Sequence, residues 1–354
     1  MGKGRVSRTE WRAGAEARLA AAQDVLAAEV AAIQSGEDWK RFLEFQAKLH
    51  AYSPRNVLLI TAQHHVAFAE GRVSAPDPGF VAGFATWRAL GRTVERGQRG
   101  YGVLAPCRAE RRYALRADGE ARLLRAGERP SPDERVESRR SLVGFRLEHV
   151  FSVHQTSGVP LPEPPLPELL AGAAPPGLTD AVTRLVEGAG FQVGEVENAA
   201  AIGGANGLTS FADRRVSVRA DMDEAARAKT LLHEAAHVLL HGDSPGSTLP
   251  RALKEVEAES VAFVVAAAHG MDTGSYSFPY VAAWAGPDGA KAVASTQARV
   301  ARAATVLLAA SPAPHASGGR PPGAEAALAA RQAAALEPAS PAMAGDLDVG
   351  ALGL

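Results

Sequence analysis

Two histidines and a glutamate in the second half of the chain have the spacing of a metal-dependent hydrolytic site. His233, Glu234 and His237 form an H-E-x-x-H pattern within the stretch LLHEAAHVLLHG. Residues four apart lie on the same face of a helix, so both imidazoles can bind one ion. A divalent cation such as Zn²⁺ activates water, and a neighbouring carboxylate accepts the proton. The pattern therefore predicts peptide-bond hydrolysis with Glu234 as the general base.

A catalytic zinc usually has three protein ligands and one open position, so a third ligand is required. The next acidic cluster, KEVEAES, begins an otherwise apolar helix and contains Glu255, Glu257 and Glu259. Glu255 and Glu259 share one helix face, whereas Glu257 points to the far side. We predict that Glu255 is the third ligand and that Glu259 accepts a hydrogen bond from a ligand histidine. Glu257 is the alternative ligand.

This set of ligands does not specify which metal binds, because His and Glu suit several divalent ions. We expect Zn²⁺, with another ion such as Mn²⁺ as the alternative. His241 lies one turn beyond His237, and we predict that it acts as a cation at the helix C-terminus rather than as a ligand. A strand at 216–219, if it lies at a sheet edge, would hold a peptide by strand addition. Candidates to stabilise an oxyanion are Tyr276, Tyr280 and His269.

Hydrophobic periodicity and helix punctuation predict the elements that carry these residues. Helices are expected over 223–241, where the first turn is acidic and Gly242 follows the end, and over about 253–268. Before them we predict a helix over 179–188, a strand over 191–196, and a hairpin of 208–211 with 216–219. In the first half we predict helices over 16–32, 38–49 and 56–64, strands over 101–106 and 145–153, and an Arg-rich hairpin or insertion at 108–146.

A proline-rich segment divides the chain. Seven of the 19 residues in 159–177 are proline, which predicts a semi-extended linker between a first domain, 1–158, and a second, 178–308. The first domain has 25 basic against 18 acidic residues, and the chain after it has 13 against 21. Residues 309–354 are rich in Ala, Gly, Pro and Ser, which predicts a low-complexity tail that is disordered or partly helical.

Composition excludes several classes of protein. The hydrophobic fraction of 46% and charged fraction of 22% are those of a globular chain, not a wholly disordered one. A single cysteine, Cys107, excludes an intrachain disulfide framework and a Cys-rich zinc site. No apolar run is long enough to span a bilayer, and MGKGRVSRTEWRAG lacks the apolar core of a secretory signal. We expect a cytoplasmic protein.

Several stretches resemble a known family when they are taken in order. HEAAH, EVEAESVAFVVAAAHGMD and SYSFPYVAAW are similar to zincin-like metallopeptidases of the ImmA/IrrE and ArdC type. LHAYSPRNVLLITAQ, VAGFATWRALGRTVERGQRGYGVLAP and VFSVHQTSG are similar to the N-terminal domain of ArdC antirestriction proteins. The resemblance implies an α+β protein with an N-terminal mixed α/β domain that binds single-stranded DNA and a C-terminal gluzincin-type domain. It also implies an E-x-x-A-[acidic or Asn] motif for the third ligand, which corresponds to Glu255, Ala258 and Glu259.

The function that the resemblance implies is antirestriction, that is, protection of DNA during plasmid or phage transfer. Aromatic side chains would then stack on bases and arginines would meet phosphates. The residues predicted for this DNA-binding surface are Tyr52, Arg55, Asn56, Trp87, Arg88, Arg92, Arg96, Arg99 and Tyr101, with Phe84 beside them. Without the resemblance, the aromatic residues fit equally well as core and the arginines as a solvated loop.

Three functions are therefore compatible with the sequence. The first is an antirestriction protein that binds single-stranded DNA and has an active zinc endopeptidase site acting on a protein or peptide. The second is a DNA-protecting protein whose metal site is not catalytic. The third is a peptidase of the ImmA/IrrE type that cleaves a repressor.

Overall fold

The computed structural model describes residues 8–116, 120–125, 127–161, 172–242, 249–274, 289–314 and 318–336. It is a mixed α/β fold. The helices are α1 (Arg8–Ala31), α2 (Gly36–Lys48), α3 (Pro54–Ala69), α4 (Phe84–Ala89), α5 (Leu178–Gly188), α6 (Glu224–His241), α7 (Arg251–Ala268), α8 (Gly289–Ala310) and α9 (Ala324–Leu336). The strands are β1 (Val81–Gly83), β2 (Arg92–Val94), β3 (Tyr101–Leu115), β4 (Ala121–Leu123), β5 (Arg135–Ser152), β6 (Thr156–Gly158), β7 (Gln192–Val196), β8 (Gly207–Ser210) and β9 (Arg215–Arg219).

The helices of the first half begin at capping residues that the sequence makes recognisable. Ser35 accepts a hydrogen bond from the Asp38 N–H, and the Asp38 carboxylate accepts one from the Ser35 N–H, which forms a capping box before α2. Ser53 caps α3, and Pro54 occupies its first turn, where the missing N–H costs nothing. The predicted helices over 38–49 and 56–64 are therefore confirmed, the second with an earlier start and a later end.

An antiparallel sheet with the strand order β1-β5-β3-β4 follows these helices. The strands predicted over 101–106 and 145–153 are only the inner halves of β3 and β5. Both strands continue outwards as one ribbon, interrupted by a β-bulge between Cys107 and Arg108. The Arg-rich hairpin at 108–146 is therefore confirmed as a hairpin.

A second sheet has the order β7-β9-β8, with β7 parallel and β8 antiparallel to the central strand β9. The 208–211 and 216–219 hairpin is confirmed. Strand addition at 216–219 required that strand to lie at a sheet edge, and this condition is not met, because β9 is paired on both sides. In the described part of this sheet, the edge that faces α6 belongs to β8.

The hydrophobic core is continuous between the two halves of the chain. One cluster of buried side chains contains Trp39 and Leu43 from α2 together with Val261 and Phe263 from α7. The indole N–H of Trp39 also donates a hydrogen bond of 2.8 Å to Ser260 Oγ. The first-half helices therefore support the helix that carries the acidic cluster. Of the predicted linker, residues 162–171 lie outside the described residues, and the domain boundaries stay a prediction.

The Trp39–Ser260 contact gives a test of this support. We expect Trp39→Phe to lower the free energy of unfolding by about 1–3 kcal/mol, because it removes a buried hydrogen bond and leaves a small void. Urea unfolding of the single variants and of the double variant with Ser260→Ala checks this. The expected result is coupling between the two positions, and strictly additive effects would contradict it.

Part of the predicted low-complexity tail is ordered against the first half of the chain. The Ala51 N–H donates to the carbonyl of Gly318, and the Val81 N–H donates to that of Gly319. Gly319 has φ +79°, and a Cβ at this position would lie 2.2 Å from Leu49 Cδ2, so only glycine fits. The helix α9 follows, which confirms the partly helical alternative for residues 324–336. No helix in the described parts of the chain has the length and apolarity needed to cross a membrane.

Candidate metal centre

Three potential ligand atoms meet at one point between α6 and α7. His233 Nε2 and His237 Nε2 are 3.1 Å apart. Glu255 Oε2 lies 3.4 Å from the first of these nitrogens and 3.5 Å from the second. The residues predicted as the three ligands are thus brought together, and among the described residues they are the only group of at least three His, Cys, Asp or Glu side chains with the geometry to hold a metal ion.

The dimensions of this triangle fit a small divalent cation. Zinc binds nitrogen and carboxylate oxygen at about 2.0–2.2 Å, which separates neighbouring ligands of a tetrahedron by about 3.3–3.5 Å. The two distances to Glu255, 3.4 and 3.5 Å, agree with that edge length, and the 3.1 Å between the two histidine nitrogens is about 0.2 Å shorter. A slightly larger ion with more ligands has similar edges, so the triangle selects a cation size rather than one element.

Glu234 lies on the same helix as the histidines but is held by the second sheet. Its Oε2 accepts a 2.6 Å hydrogen bond from Thr209 Oγ1, and the residue is 6% exposed. Gly207 makes this approach possible, because a Cβ there would lie 2.8 Å from Glu234 Oε1 and 2.7 Å from Thr230 Cγ2. The edge strand β8 therefore fixes the orientation of the predicted general base.

The Nδ1 atom of His233 faces Glu259, with His233 Nδ1 and Glu259 Oε2 3.1 Å apart. This is the arrangement predicted for Glu259. Burial acts to lower the pKa of His233, but the interactions with Glu255 and Glu259 outweigh it and raise that pKa to about 9. Hydrogen bonds to His233 and His237 hold the pKa of Glu255 well below its usual range. A cation that binds here must therefore displace a proton from His233.

The second ligand histidine is held by a buried chain of polar groups. His237 Nδ1 lies 3.0 Å from His241 Nδ1, and His241 Nε2 lies 3.1 Å from Glu257 Oε2. Glu257 Oε1 in turn lies 2.9 Å from Arg299 Nε on α8. Because the Glu257 side chain is 1% exposed and faces His241, it is not placed to act as the alternative ligand.

The prediction for His241 needs correction for the same reason. This side chain is not a solvated cation at the end of a helix, because it is buried and burial lowers its pKa. The ring of His241 lies between the predicted ligand His237 and the carboxylate of Glu257. The sequence near His241 does not indicate this contact, because it depends on how α6 packs against α7 and on Arg299, which lies 42 residues after Glu257.

A cleft of about 1100 Å³ contains the three candidate ligands and Glu234. One wall is β8, and the exposed side chains of Leu208 and Phe211 lie along it. The rim has charges of both signs, contributed by Asp223, Lys229, Arg251, Lys254 and Asp272. Of the oxyanion candidates, Tyr276 and Tyr280 lie outside the described residues. His269 is buried, its Nε2 lies 2.9 Å from Ser311 Oγ, and it is not among the residues that line this cleft.

Several residues predicted to stack on DNA bases belong instead to the core. Trp87 is fully buried, and its indole N–H donates to the Phe151 carbonyl at 3.0 Å. Tyr101 is buried, with its hydroxyl 2.8 Å from His64 Nδ1. The Tyr52 hydroxyl donates to the Val81 carbonyl at 2.7 Å, and burial raises the pKa of Tyr52 to about 12. The burial of Trp87 and Tyr101 contradicts the stacking prediction for these two rings, whereas Tyr52 is only partly buried and its place on the DNA surface stays a prediction.

Two polar residues of the predicted DNA surface also have structural roles. Asn56 makes two hydrogen bonds to the backbone of Leu104, one as donor and one as acceptor. Arg92 donates to Thr156 and to the Val159 carbonyl, which ties β2 to β6. The predicted residues that remain exposed are Arg55, Arg88, Arg96 and Arg99, with Phe84 beside them.

Comparison with known proteins identifies the first half of the chain. Residues 20–151 match the family described as the N-terminal domain of anti-restriction factor ArdC. The chain therefore contains an ArdC-type N-terminal domain. The match ends before the candidate metal centre, so it does not cover His233, His237 or Glu255.

Two solved structures of the ArdC antirestriction protein from the R388 plasmid are similar to this chain. The metal-free structure has 18% identity and a TM-score of 0.43, covering 73% of this chain and 85% of that one. The Mn(II)-bound structure has 19% identity and a TM-score of 0.41, covering 73% and 88%. Among curated proteins, none matches the chain significantly.

Proposed function

We propose that this ArdC-type protein binds single-stranded DNA and has a zincin-like metallopeptidase site in its second half. The observation that carries the enzymatic part is the ligand triangle of His233, His237 and Glu255, with Glu234 lining the same cleft. Two imidazoles and one carboxylate leave a further coordination position open, as catalytic rather than structural zinc sites do. Zn²⁺ is our first candidate for the cation and Mn²⁺ the second.

At such a site, different residues of this chain would bind the metal, transfer the proton and hold the peptide. His233, His237 and Glu255 would hold the cation, whose chemistry is to polarise a carbonyl and lower the pKa of water. Glu234, oriented by Thr209, would accept a proton from the attacking water and return it to the leaving amine. An extended peptide would pair with the edge of β8, which has no partner strand among the described residues and lines the cleft beside Glu234.

The DNA-binding part rests on the family of the N-terminal domain and on its exposed basic side chains. Arg55, Arg88, Arg96 and Arg99 are free to meet phosphates, because they are exposed and make no ion pair with any described residue. The full chain should bind a single-stranded oligonucleotide with an affinity that falls steeply as salt rises. Absence of binding at low salt would remove this part of the proposal.

The enzymatic part is tested by incubating the full chain, loaded with Zn²⁺ or with Mn²⁺, with a mixture of peptides and analysing the products by mass spectrometry. We expect new peptide termini that disappear when a chelator is added. If antirestriction in cells persists while no peptide is cut, the protein protects DNA by binding alone. If instead a co-encoded repressor is the protein that is cut, the ImmA/IrrE-type function applies.

Metal binding has its own test in His237→Ala. Loss of one imidazole leaves two ligands, so we expect the purified variant to lose most of the divalent metal that the wild-type chain retains. Metal analysis after dialysis measures this directly. His65→Ala, which changes an exposed histidine on α3, is the matched control and should keep the wild-type metal content. Equal metal content in all three proteins would contradict the site.

A further inference from the structure

The outer part of the β3–β5 ribbon is a strongly basic arm. We define the arm as residues 107–116 and 135–146, within which residues 108–115 pair with 135–142 beyond the β-bulge. It contains eight arginines and two glutamates, with no lysine or aspartate. At about 3.4 Å per residue, the eight paired residues of β3 beyond the bulge reach about 27 Å from the inner sheet. Residues 108–112 are all exposed.

The arginines of the arm lie on both faces of the ribbon. Residues that are directly opposite in an antiparallel pair share a face. On one face, Arg111 is opposite Arg139, and Arg135 is opposite Leu115. On the other face, Arg108 is opposite Leu142, Arg112 is opposite Ser138, and Arg140 is opposite Glu110. An extended ligand that contacts this arm can therefore engage positive charge on either side.

Most of these charges are not neutralised within the protein. Three of the eight arginines make ion pairs. Arg139 pairs with Glu137 and Arg146 with Glu148. Arg116 pairs with Glu120 and Glu134. The arginines that make no ion pair with a described residue are Arg108, Arg111, Arg112, Arg135 and Arg140. Like charges directly opposite one another, as at Arg111 and Arg139, destabilise an antiparallel pair. Such an arrangement is understandable where an external anion screens the repulsion.

We propose that this arm binds the phosphodiester backbone of a nucleic acid. The inference deepens the proposed DNA binding and rests on it, and it places the main contact on the arm rather than on Trp87, Tyr101 and their neighbours. Charge on both faces favours a polyanion that can surround the ribbon. A duplex admits a two-stranded ribbon into its major groove, and a flexible single strand can wrap around it. A flat anionic membrane would reach only one face.

Exposed apolar side chains accompany the arginines at the base of the arm. Leu142, Val143 and Phe145 are 54%, 44% and 38% exposed, respectively. Leu142 is directly opposite Arg108, so a strand whose phosphate is held by that arginine would bring its bases near this cluster. Phe145 offers a ring for stacking, which works with every base. The arm thus has the two kinds of contact that sequence-tolerant binding requires.

The test is the salt dependence of binding by the full chain to a fluorescent single-stranded oligonucleotide and to its duplex. The arm variant carries Arg108→Gln, Arg112→Gln and Arg140→Gln, which neutralise one face. The matched control carries Arg184→Gln, Arg302→Gln and Arg331→Gln, which neutralise exposed arginines elsewhere. Thermal unfolding of both variants should match that of the wild type, because the side chains replaced in both are exposed.

We expect the arm variant to lose about two units of slope in log K against log salt for a single strand, and about 100-fold in affinity at 0.1 M salt. The control should keep the wild-type slope. A loss confined to the single strand or to the duplex supports the arm and shows which form it holds. Wild-type slope and affinity in the arm variant would overturn the inference while leaving DNA binding by the rest of the domain intact.

Two other results would also overturn it. Equal losses in the arm variant and the control would show a general charge effect. Loss of binding to phosphatidylserine-containing vesicles, with oligonucleotide binding unchanged, would assign the arm to a membrane surface. If the wild-type chain binds neither probe at low salt, the proposed DNA binding fails together with the inference, and the peptidase proposal is unaffected.

Discussion

Glu234→Gln is expected to reduce peptide hydrolysis by the metal-loaded chain by about 10²- to 10⁴-fold, the usual contribution of a positioned general acid–base group. The amide has nearly the same shape as the carboxylate and can still accept a hydrogen bond from Thr209. It cannot accept a proton from water at neutral pH. Because Glu234 is not one of the three candidate metal ligands, the affinity of the variant for the metal should stay close to that of the wild type.

Glu224→Gln is the matched control for this variant. Glu224 lies in the first turn of the same helix, is exposed, and lines neither the ligand triangle nor the cleft. Hydrolysis rates at saturating metal, measured beside metal content, separate the two effects. Unchanged hydrolysis in Glu234→Gln would show that this carboxylate is not the base. Loss of metal together with activity would show instead that it contributes to holding the ion.

The ligand set could be predicted from sequence because its geometry is local. His233 and His237 meet through the four-residue repeat of one helix, and Glu255 and Glu259 share a face of the next by the same rule. The two faces must meet only because α6 and α7 pack against each other. The bounds predicted for these helices, 223–241 and about 253–268, agree with α6 and α7 to within two residues, so the sequence also indicates the elements that carry the ligands.

The DNA surface and the sheet edge could not be predicted because they depend on distant pairing. Trp87 lies among arginines in sequence, yet the short helix α4 turns it into the core beneath β5. The edge of the second sheet is decided by the parallel pairing of β7 with β9, which joins residues more than twenty positions apart. The sequence indicates the arm only as an Arg-rich stretch. Apolar and polar residues do not alternate along it, so the hydrophobic pattern does not predict that both strands continue through the arm.

His241 connects the ligand His237 to a buried ion pair, and its replacement tests whether that connection matters. For His237 to use Nε2 as a ligand, its Nδ1 carries the proton and needs an acceptor. His241 Nδ1, 3.0 Å away, is that acceptor, and its own Nε2–H is then directed at Glu257. Arg299 holds the carboxylate from the opposite side. The neutral form of His241 that this requires agrees with its lowered pKa, which burial causes.

We expect His241→Phe to weaken metal binding by about 10- to 100-fold, the usual effect of losing an outer partner of a ligand histidine. His241→Asn should retain most of the affinity, because its amide oxygen takes the position of the lost Nδ1. Chelator competition gives the dissociation constants, and unfolding of the metal-free proteins reports packing separately.

His269→Phe is the matched control, since His269 is also buried but bonds to Ser311, away from the ligands. Two results would contradict the connection: unchanged metal affinity in His241→Phe, or equal losses in His241→Phe and His269→Phe. Recovery in the asparagine variant is the decisive sign, because asparagine fills less of the cavity than phenylalanine and would not restore affinity if packing alone mattered.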